Sequence, residues 1–495
     1  IWVDDSSNNI IENNRISSGW FGIGLRFSSN NIIKNNRIVS NHKAGIWVGS
    51  SSNNIIKNNK ISYNKDGIWV DDSSNNIIMN NSMSHNGCGI ELYATSKNNI
   101  IKNNRISNNR DGIKLFLYSS NNIIKNNRIV SNSEAGIWLY DESSNNIITN
   151  NDISDNHCGI RLDDESSNNN ITNNSISNNG CGIELWSSSN NNIITNNSIS
   201  DSEDGIVLQS SSNNIIKNNR ISNNGKGIEL YDSSNNTITN NSISNNDWVG
   251  IWLRFSSNNI IKNNRIASNS EAGIWLVNSS NNIITNNSIS NNGYGVDLVN
   301  SYNNIFYLNS FVNNTEYNAW DEGRNYWDNG TIGNYWDDYC GRDRNGDGIG
   351  DTPYEIPPYG DANVNLDHYP LVRDTQPPFV EIVTPEKNYH YFCFFCRNRK
   401  LNHPVRYEGA IIWAIGGFKV KAYAHDNETD IKKVEFYVDD EKEPRKMVKP
   451  PEEYEWCWNE LLLFEEHTIK VKAYDHAGNV GVEELKVRVS NIRLP

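Results

Sequence analysis

The run Asp343-Arg-Asn345-Gly-Asp347-Gly-Ile349-Gly-Asp351 sets side-chain oxygens at its first, third, fifth and ninth positions, with the Ile349 carbonyl at the seventh and glycine at the sixth. Loops of that spacing wrap hard cations, the oxygens serving as ligands and the glycine making the sharp turn. The twelfth position is Tyr354, so the usual bidentate glutamate is absent, and Glu355, Asp337, Asp338 or Asp367 is left to complete the shell. Calcium is the cofactor this predicts, as a folding device that neutralises clustered carboxylates. The plain alternative is an acidic turn without metal.

A second set of chemistry-bearing residues recurs at two phases of a repeat, the residue between Ile and Leu and the one after Leu. Trp47, Trp69, Tyr93, Trp138, Tyr140 and Trp186 fall there among acids and arginines. Flat rings beside polar groups suit the apolar faces and hydroxyls of sugars. The bland counterpart is that the rings only stack on one another. Asp163 and Glu184 lie in adjacent repeat units with Arg161 beside them, and glycosidases use two carboxylates roughly 5 to 9.5 Å apart. Nothing else breaks the repeat around this pair. It is therefore a weak catalytic candidate.

The element that positions these residues is a unit of 22 to 24 residues, legible 14 times between Ile1 and Asn309. From Gly136 it reads Gly-Ile-Trp-Leu-Tyr-Asp-Glu-Ser-Ser-Asn-Asn-Ile-Ile-Thr-Asn-Asn-Asp-Ile-Ser-Asp-Asn-His-Cys, and it begins again at Gly159. Asn, Ser and Gly are poor helix formers. Three short apolar runs separated by turn residues read instead as three strands. Each unit is thus one coil of a parallel β-helix, with neighbouring coils ~4.8 Å apart. The second Ile of each Ile-Ile pair is kept at Ile11, Ile33 and Ile56 and becomes Phe306, which places it inside. The first becomes Asn170 or Thr237 and takes a wetter position. In the second Asn-Asn pair the first member becomes Leu308 while the second survives as Asn309, which predicts Asn side chains hydrogen-bonded from coil to coil.

Composition narrows the partners. A net charge of −14 over 495 residues argues against nucleic acid or anionic membrane. No apolar run of about 18 residues is present to span a bilayer. Ile1 falls inside a coil, so a cap and any export signal are expected to precede it, or another molecule to cover that end. Cys88, Cys158 and Cys181 share one phase. Cys158 and Cys181 are within disulfide reach, and buried free thiols are expected. Of the Asn-x-Ser/Thr sequences, Asn196 and Asn286 are read as ladder members, and Asn329 and Asn427 as the glycosylation sites.

Beyond Asn309 the text changes to Asn334-Tyr-Trp-Asp-Asp-Tyr339, Asp347-Gly-Ile-Gly-Asp-Thr-Pro-Tyr354 and Tyr369-Pro-Leu371. With these motifs, roughly residues 1 to 373 resemble the NosD-type right-handed parallel β-helix proteins. Many archaeal surface proteins carry that module, which is related to carbohydrate-binding and sugar-hydrolysing β-helices. The resemblance implies an all-β chain: a right-handed parallel β-helix over 1–316 and a cap bearing the calcium-type loop over 317–373. The family's copper role does not carry over. Copper wants His and Met ligands, and 3 Met and 9 His without paired spacing do not supply them.

Thr375-Gln-Pro-Pro378 is a linker by composition. After it, strands of alternating character over 379–383, 418–424, 433–438, 468–474 and 484–489 resemble Ig-like modules of microbial surface proteins. Residues 374–495 are therefore expected as an Ig-like β-sandwich, with Trp456 and Trp458 helping to fill its core. The stretch Asn388–Gly417 is too long and apolar for a simple connection. It reads as an internal hairpin with Cys393 or Cys396 bridged to Cys457, as a zinc site lacking a second ligand pair, or as a docking surface between copies. The function expected is an extracellular structural or adhesive cell-surface protein, assembling with itself or neighbouring surface proteins into a layer or filament. The alternative is a polysaccharide-binding or polysaccharide-degrading β-helix.

Overall fold

The computed structural model describes residues 1–357, 365–372, 376–404, 408–426, 430–450, 454–460, 462–475 and 478–492. Thr375 of the linker and Asn427 lie outside the described residues. The chain divides into two compact units, residues 1–337 with 355–367, and residues 338–354 with 368–495. The segment 317–373 is shared between them.

In the first unit the coils contribute to three parallel sheets of 15, 14 and 15 strands. Pairing keeps equivalent residues in register, so Ile68 lies against Ile90, Ile78 against Ile101 and Met83 against Ile106. These six side chains are fully buried and form the core column by column. The first Ile of each pair, such as Ile55 or Ile77, is only half-buried. β-Branched residues suit such a pleated, part-buried surface.

The turns explain the asparagines. The first Asn of each pair lies in the left-handed region, as Asn30 (φ 60) and Asn35 (φ 58) do, a conformation Asn tolerates better than most residues. The second turns inward. Asn197 donates from its backbone N and its Nδ2 to Oδ1 of Asn219, at 2.9 and 3.1 Å, and from Nδ2 to the Ile171 carbonyl at 2.9 Å. Similar ladders run through Asn31–Asn54 and Asn41–Asn64–Asn86 at the other corners. Asn196 and Asn286, expected in a ladder, take exposed left-handed positions, where Asn286 Nδ2 still donates to Asn263 Oδ1 at 2.9 Å. The buried ladder belongs to their neighbours, Asn197 and Asn287.

The leading glycine has a steric cause. A Cβ on Gly136 would sit 2.7 Å from the Gly159 carbonyl oxygen and 2.8 Å from Cγ2 of Ile153. Register pairing also skips this residue: Ala135 pairs with Cys158 and Ile137 with Ile160. The inward–outward alternation of a strand is broken there, and the residue before the glycine joins the outer face.

The C-terminal end of the helix is closed by stacked rings. Phe306 stacks on Trp327 at 4.2 Å and Phe311 on Trp336 at 4.4 Å. Trp327 Nε1 donates to Asp321 Oδ2 and Trp336 Nε1 to Asp367 Oδ2, both at 2.9 Å. The Asn309 ladder ends on Asn334 at 2.9 Å, whose backbone N donates to Asp367 Oδ2 at 2.7 Å. Buried donors that need a partner thus find one in each carboxylate.

The second unit is sandwich-like. A three-stranded sheet (Phe379–Thr384, Phe418–His425, Glu455–Trp458) and a seven-stranded sheet share one core that includes Val420, Phe436, Ile469, Val487 and Trp458, with Trp456 packed against it. Within 388–417, strands Tyr389–Phe394, Arg397–Pro404 and Ala410–Ile415 extend one end of the larger sheet. Tyr391, Cys393 and Ile412 are buried there, while Phe392, Phe395 and Trp413 are exposed. Cys396 is disulfide-bonded to Cys457 and Cys393 is a buried free thiol. Cys396 is thereby withheld from a Cys-x-x-Cys zinc site.

Candidate functional site

The outer face of the first sheet carries three columns: the residue before each leading glycine, the one between Ile and Leu, and the one after Leu. Its rings form a continuous run. Trp2 and Trp47 are 5.4 Å apart, Trp47 and Trp69 6.4 Å, Trp69 and Tyr93 6.2 Å. Tyr93 and Phe116 follow at 5.5 Å, and Phe116 and Tyr140 at 5.2 Å. From Trp47 to Tyr140 these side chains are half-buried, each with part of its ring open. Cations lie over several of these rings: Lys43 Nζ is 5.8 Å from Trp69 and Lys114 Nζ 5.0 Å from Phe116, and Trp138 and Trp186 are covered likewise. The Arg161 guanidinium lies 5.5 Å from one ring and 5.1 Å from the other, and Lys114 Nζ is 4.6 Å from Trp138. Cations hold those faces.

Arg161 also takes up both predicted carboxylates. Its Nη2 donates to Asp163 Oδ2 at 3.0 Å, and its Nε lies 3.7 Å from Glu184 Oε2. Burial raises the Glu184 pKa, with Arg161 opposing. Cys158 and Cys181 form a disulfide rather than the free thiols expected. They are register partners whose Cα atoms are 4.6 Å apart, inside the range a disulfide needs.

The Asp-rich loop is folded by its own carboxylates. Asp343 is buried; its Oδ1 accepts from the N–H groups of Gly346 (2.7 Å) and Asp347 (3.2 Å), and its Oδ2 from that of Gly348 (2.7 Å). Asp347 Oδ1 accepts from Ile349 N at 2.9 Å, and Asp351 Oδ2 from Arg344 N at 3.2 Å. Among the described residues, the trio of His, Cys or acidic ligand atoms gathered within 4.8 Å is Cys158, Cys181 and Glu184, not this loop. Asn329 is exposed, and its Oδ1 accepts from Thr331.

The repeat is broken elsewhere, between the strands Asp66–Asp71, Cys88–Tyr93 and Asp111–Phe116. A surface groove of about 340 Å³ opens there, lined by the carboxylates of Asp66, Glu91 and Asp111. Lys43, Lys65, Arg110 and Lys114 stand around them, and Trp69, Tyr93 and Phe116 form a wall. Asp66 and Asp111 are the register partners of Cys88 on either side, so they flank the strand that carries Glu91. They are 8% and 5% exposed. Asp111 Oδ1 has no hydrogen-bond partner, while its Oδ2 lies 3.9 Å from Arg110 Nε. Burial, then the neighbouring Asp66 charge, pushes the Glu91 carboxyl up to about 7, against Lys114 and Lys65. Burial likewise raises Asp66 and Asp111. The sequence expectation passes over this cluster. The available signal is an acid before the glycine where Ala44 and Ala135 stand in other coils.

Residues 180–341 match the family model described as periplasmic copper-binding protein (NosD), and residues 1–101 and 65–199 match that of the right-handed β-helix region. The chain is a NosD-like β-helix repeat protein. No curated protein matches it. Among solved structures, this NosD-like chain is similar to a double mutant of the periplasmic alginate epimerase AlgG, at 17% identity over 60% of this chain and 78% of that one, with a TM-score of 0.42. The A-module of the Azotobacter vinelandii mannuronan C-5 epimerase AlgE6 is 13% identical over 63% and 91%, TM-score 0.37. The Agl-KA catalytic domain is 14% identical over 60% and 62%, TM-score 0.38. None of these likenesses assigns a role to a residue of this chain. The copper in the NosD description does not fit the NosD-like chain. Soft metals want gathered sulfur and imidazole ligands, and both sulfurs of the one trio found among the described residues are committed to a disulfide.

Proposed function

We propose that this NosD-like protein is an envelope or extracellular polysaccharide-binding protein, whose first-sheet outer face holds an extended glycan. The observation that carries this reading is the run of rings from Trp2 to Tyr140, in which Trp2 reaches Trp47 across the coil of Gly24 and each later coil adds a ring. The rings are half-buried and partly stacked on one another, and a strip of aromatic surface at this spacing suits a polymer of sugar rings. Two disulfides fit an oxidising compartment, and no helix among the described residues is long and apolar enough to cross a membrane. Calcium at the Asp343 loop is part of the proposal, as a stabiliser of that loop, and Asn329 is its glycosylation site.

A second reading, a surface protein that adheres or assembles, is favoured by the exposed Phe392, Phe395 and Trp413 of the hairpin region. Exposed rings grouped in this way mark interaction surfaces.

Affinity electrophoresis through gels containing polygalacturonate, alginate, xylan or starch tests the binding reading. The full chain should be retarded by at least one of these polymers. The Trp47→Ala/Trp69→Ala double variant should lose that retardation while keeping its circular dichroism spectrum. Equal mobility of the two proteins would leave the ring run with a packing role alone.

A further inference from the structure

We propose that the corner between the second and third sheets, over the coils from Lys34 to Arg128, is a binding strip for a linear phosphodiester polymer of the polyol-phosphate kind. The strip lies on other strands than the rings of the first sheet and does not depend on the glycan reading.

Two columns of cations run along this corner. Lys34, Lys57, Lys102 and Lys125 each end a strand of the second sheet. Arg37, Lys60, Arg105 and Arg128 each open a strand of the third. Register sets Lys34 against Lys57 and Lys102 against Lys125, and likewise Arg37 against Lys60 and Arg105 against Arg128. Met79 and Ser82 fill the coil between these pairs, and no acid interrupts either column. From Lys34 to Lys125 the strip is roughly 19 Å long at the usual interstrand spacing. The second column is exposed and the first half-buried, and the turn between them exposes Asn35, Asn58, Asn103 and Asn126.

Like charges on register neighbours destabilise a sheet, and this fold does not require them. Thr172 with Ser175, and Thr195 with Ser198, hold the same two positions without charge. On the first sheet Lys226 meets acids, lying 3.2 Å from its register partner Asp204 and 2.7 Å from Glu229. On the strip only the ends are paired, Lys34 with Glu12 at 2.7 Å and Arg128 with Asp152 at 3.3 Å. Among the described residues, Arg37, Lys57, Lys60, Lys102, Arg105 and Lys125 make no ion pair. The net charge of −14 conceals this segregation. An anion from outside offsets the stacked charge.

The strip also limits the form of that anion. It is straight, two cations wide and advances one rung per coil, so it matches a chain better than a flat surface. Ile32, Ile55, Ile100 and Ile123 beside it are half-buried rather than protruding, which leaves little apolar surface to enter a bilayer. No aromatic side chain stands in either column between Lys34 and Arg128. Platforms on which nucleic-acid bases or sugar rings stack are therefore missing. Lysine, arginine and asparagine donors together are a set that holds phosphate oxygens. A polymer whose phosphates are joined by small, flexible alcohols meets all these conditions.

The test titrates the full chain calorimetrically with a glycerol-phosphate polymer. Binding should weaken on the order of 100-fold between about 50 and 200 mM salt, because each neutralised phosphate releases counterions. The variant Lys57→Thr/Lys60→Ser/Lys102→Thr/Arg105→Ser gives two charged coils the residues of the uncharged ones. It should bind about tenfold or more weakly and melt no lower than the wild type. Lys102→Thr/Arg105→Ser alone should give an intermediate loss, so that one misfolded variant does not decide the outcome. Lys217→Thr/Arg220→Ser removes an isolated pair whose register neighbours are Thr195, Ser198, Thr239 and Ser242, and should change affinity less than about twofold. A loss as large from this variant would make the effect one of overall charge and overturn the strip. No binding by the wild type, or full binding by the folded four-site variant, overturns the proposal. Tighter binding through the same residues of alginate, oligothymidylate or vesicles of anionic lipid overturns the polyol phosphate in favour of a carboxylated glycan, a nucleic acid or a membrane.

Discussion

Glu91 and Lys114 are register partners on adjacent strands of the first sheet, yet burial outweighs the lysine and pushes the Glu91 carboxyl from 4.5 to about 7. Between those values the folded chain holds a proton that the unfolded chain has released. The contribution of Glu91 to stability is therefore full below about 4.5 and is lost as the pH rises to about 7. Glu91→Gln cannot ionise. It should melt like the wild type near the lower value and be more stable by about 1–3 kcal/mol above the upper one. Denaturant unfolding across that range checks this, and a gap that does not widen with pH contradicts it.

Gly136→Ala should be strongly destabilising. The new Cβ would press on the Gly159 carbonyl and on Ile153, and the backbone oxygen cannot swing aside. A cost of about 2–4 kcal/mol is expected, at the high end for overpacking. An unchanged midpoint would mean that adjacent coils separate easily at this seam.

The Asn ladders give a graded prediction. Asn197→Ala removes a side chain that donates to Asn219 and Ile171 and accepts from Asn174. Asn309→Ala breaks the link to Asn334 at the closed end. Each should cost about 1–3 kcal/mol. Unaltered midpoints in both would make these residues solvated turns.

For the Asp343 loop, calcium should protect residues 341–351 from protease and chelation should expose them. Asp343→Ala should loosen the loop with or without calcium, because its carboxylate accepts three backbone N–H groups. A cleavage pattern indifferent to chelator would make the loop a metal-free turn.

Most of the β-helix was legible because a repeat reports its own core. Ile56 and Ile78 recur where only an apolar side chain fits, and Asn309 survives where Leu308 does not need to be polar. The outer face was less legible. Strict alternation counted outward from Ile68 places Gly67 outside and Asp66 inside, whereas the pairing skips the glycine and turns Asp66 and Asp111 outward. The groove therefore falls in a column that the repeat hides. Cys158 and Cys181 were legible as neighbours within disulfide reach, but not the bond that their shared register closes. The Asp163–Glu184 pair was legible as acids on adjacent coils, but not the fact that one guanidinium takes up both. The hairpin Tyr389–Phe394 with Arg397–Pro404 was legible only as an excess of length, since its antiparallel pairing depends on contacts within the folded sheet.

The central claim is that a glycan lies along the rings of the first sheet. Hydroxyl-radical footprinting with and without polygalacturonate oligomers reads those rings directly. Protection of Trp47, Trp69, Tyr93 and Phe116 is predicted, with the exposed Phe255 and Tyr302 oxidised equally in both samples. Oxidation of the four rings unaffected by bound oligomer, or protection centred away from them, would contradict the account.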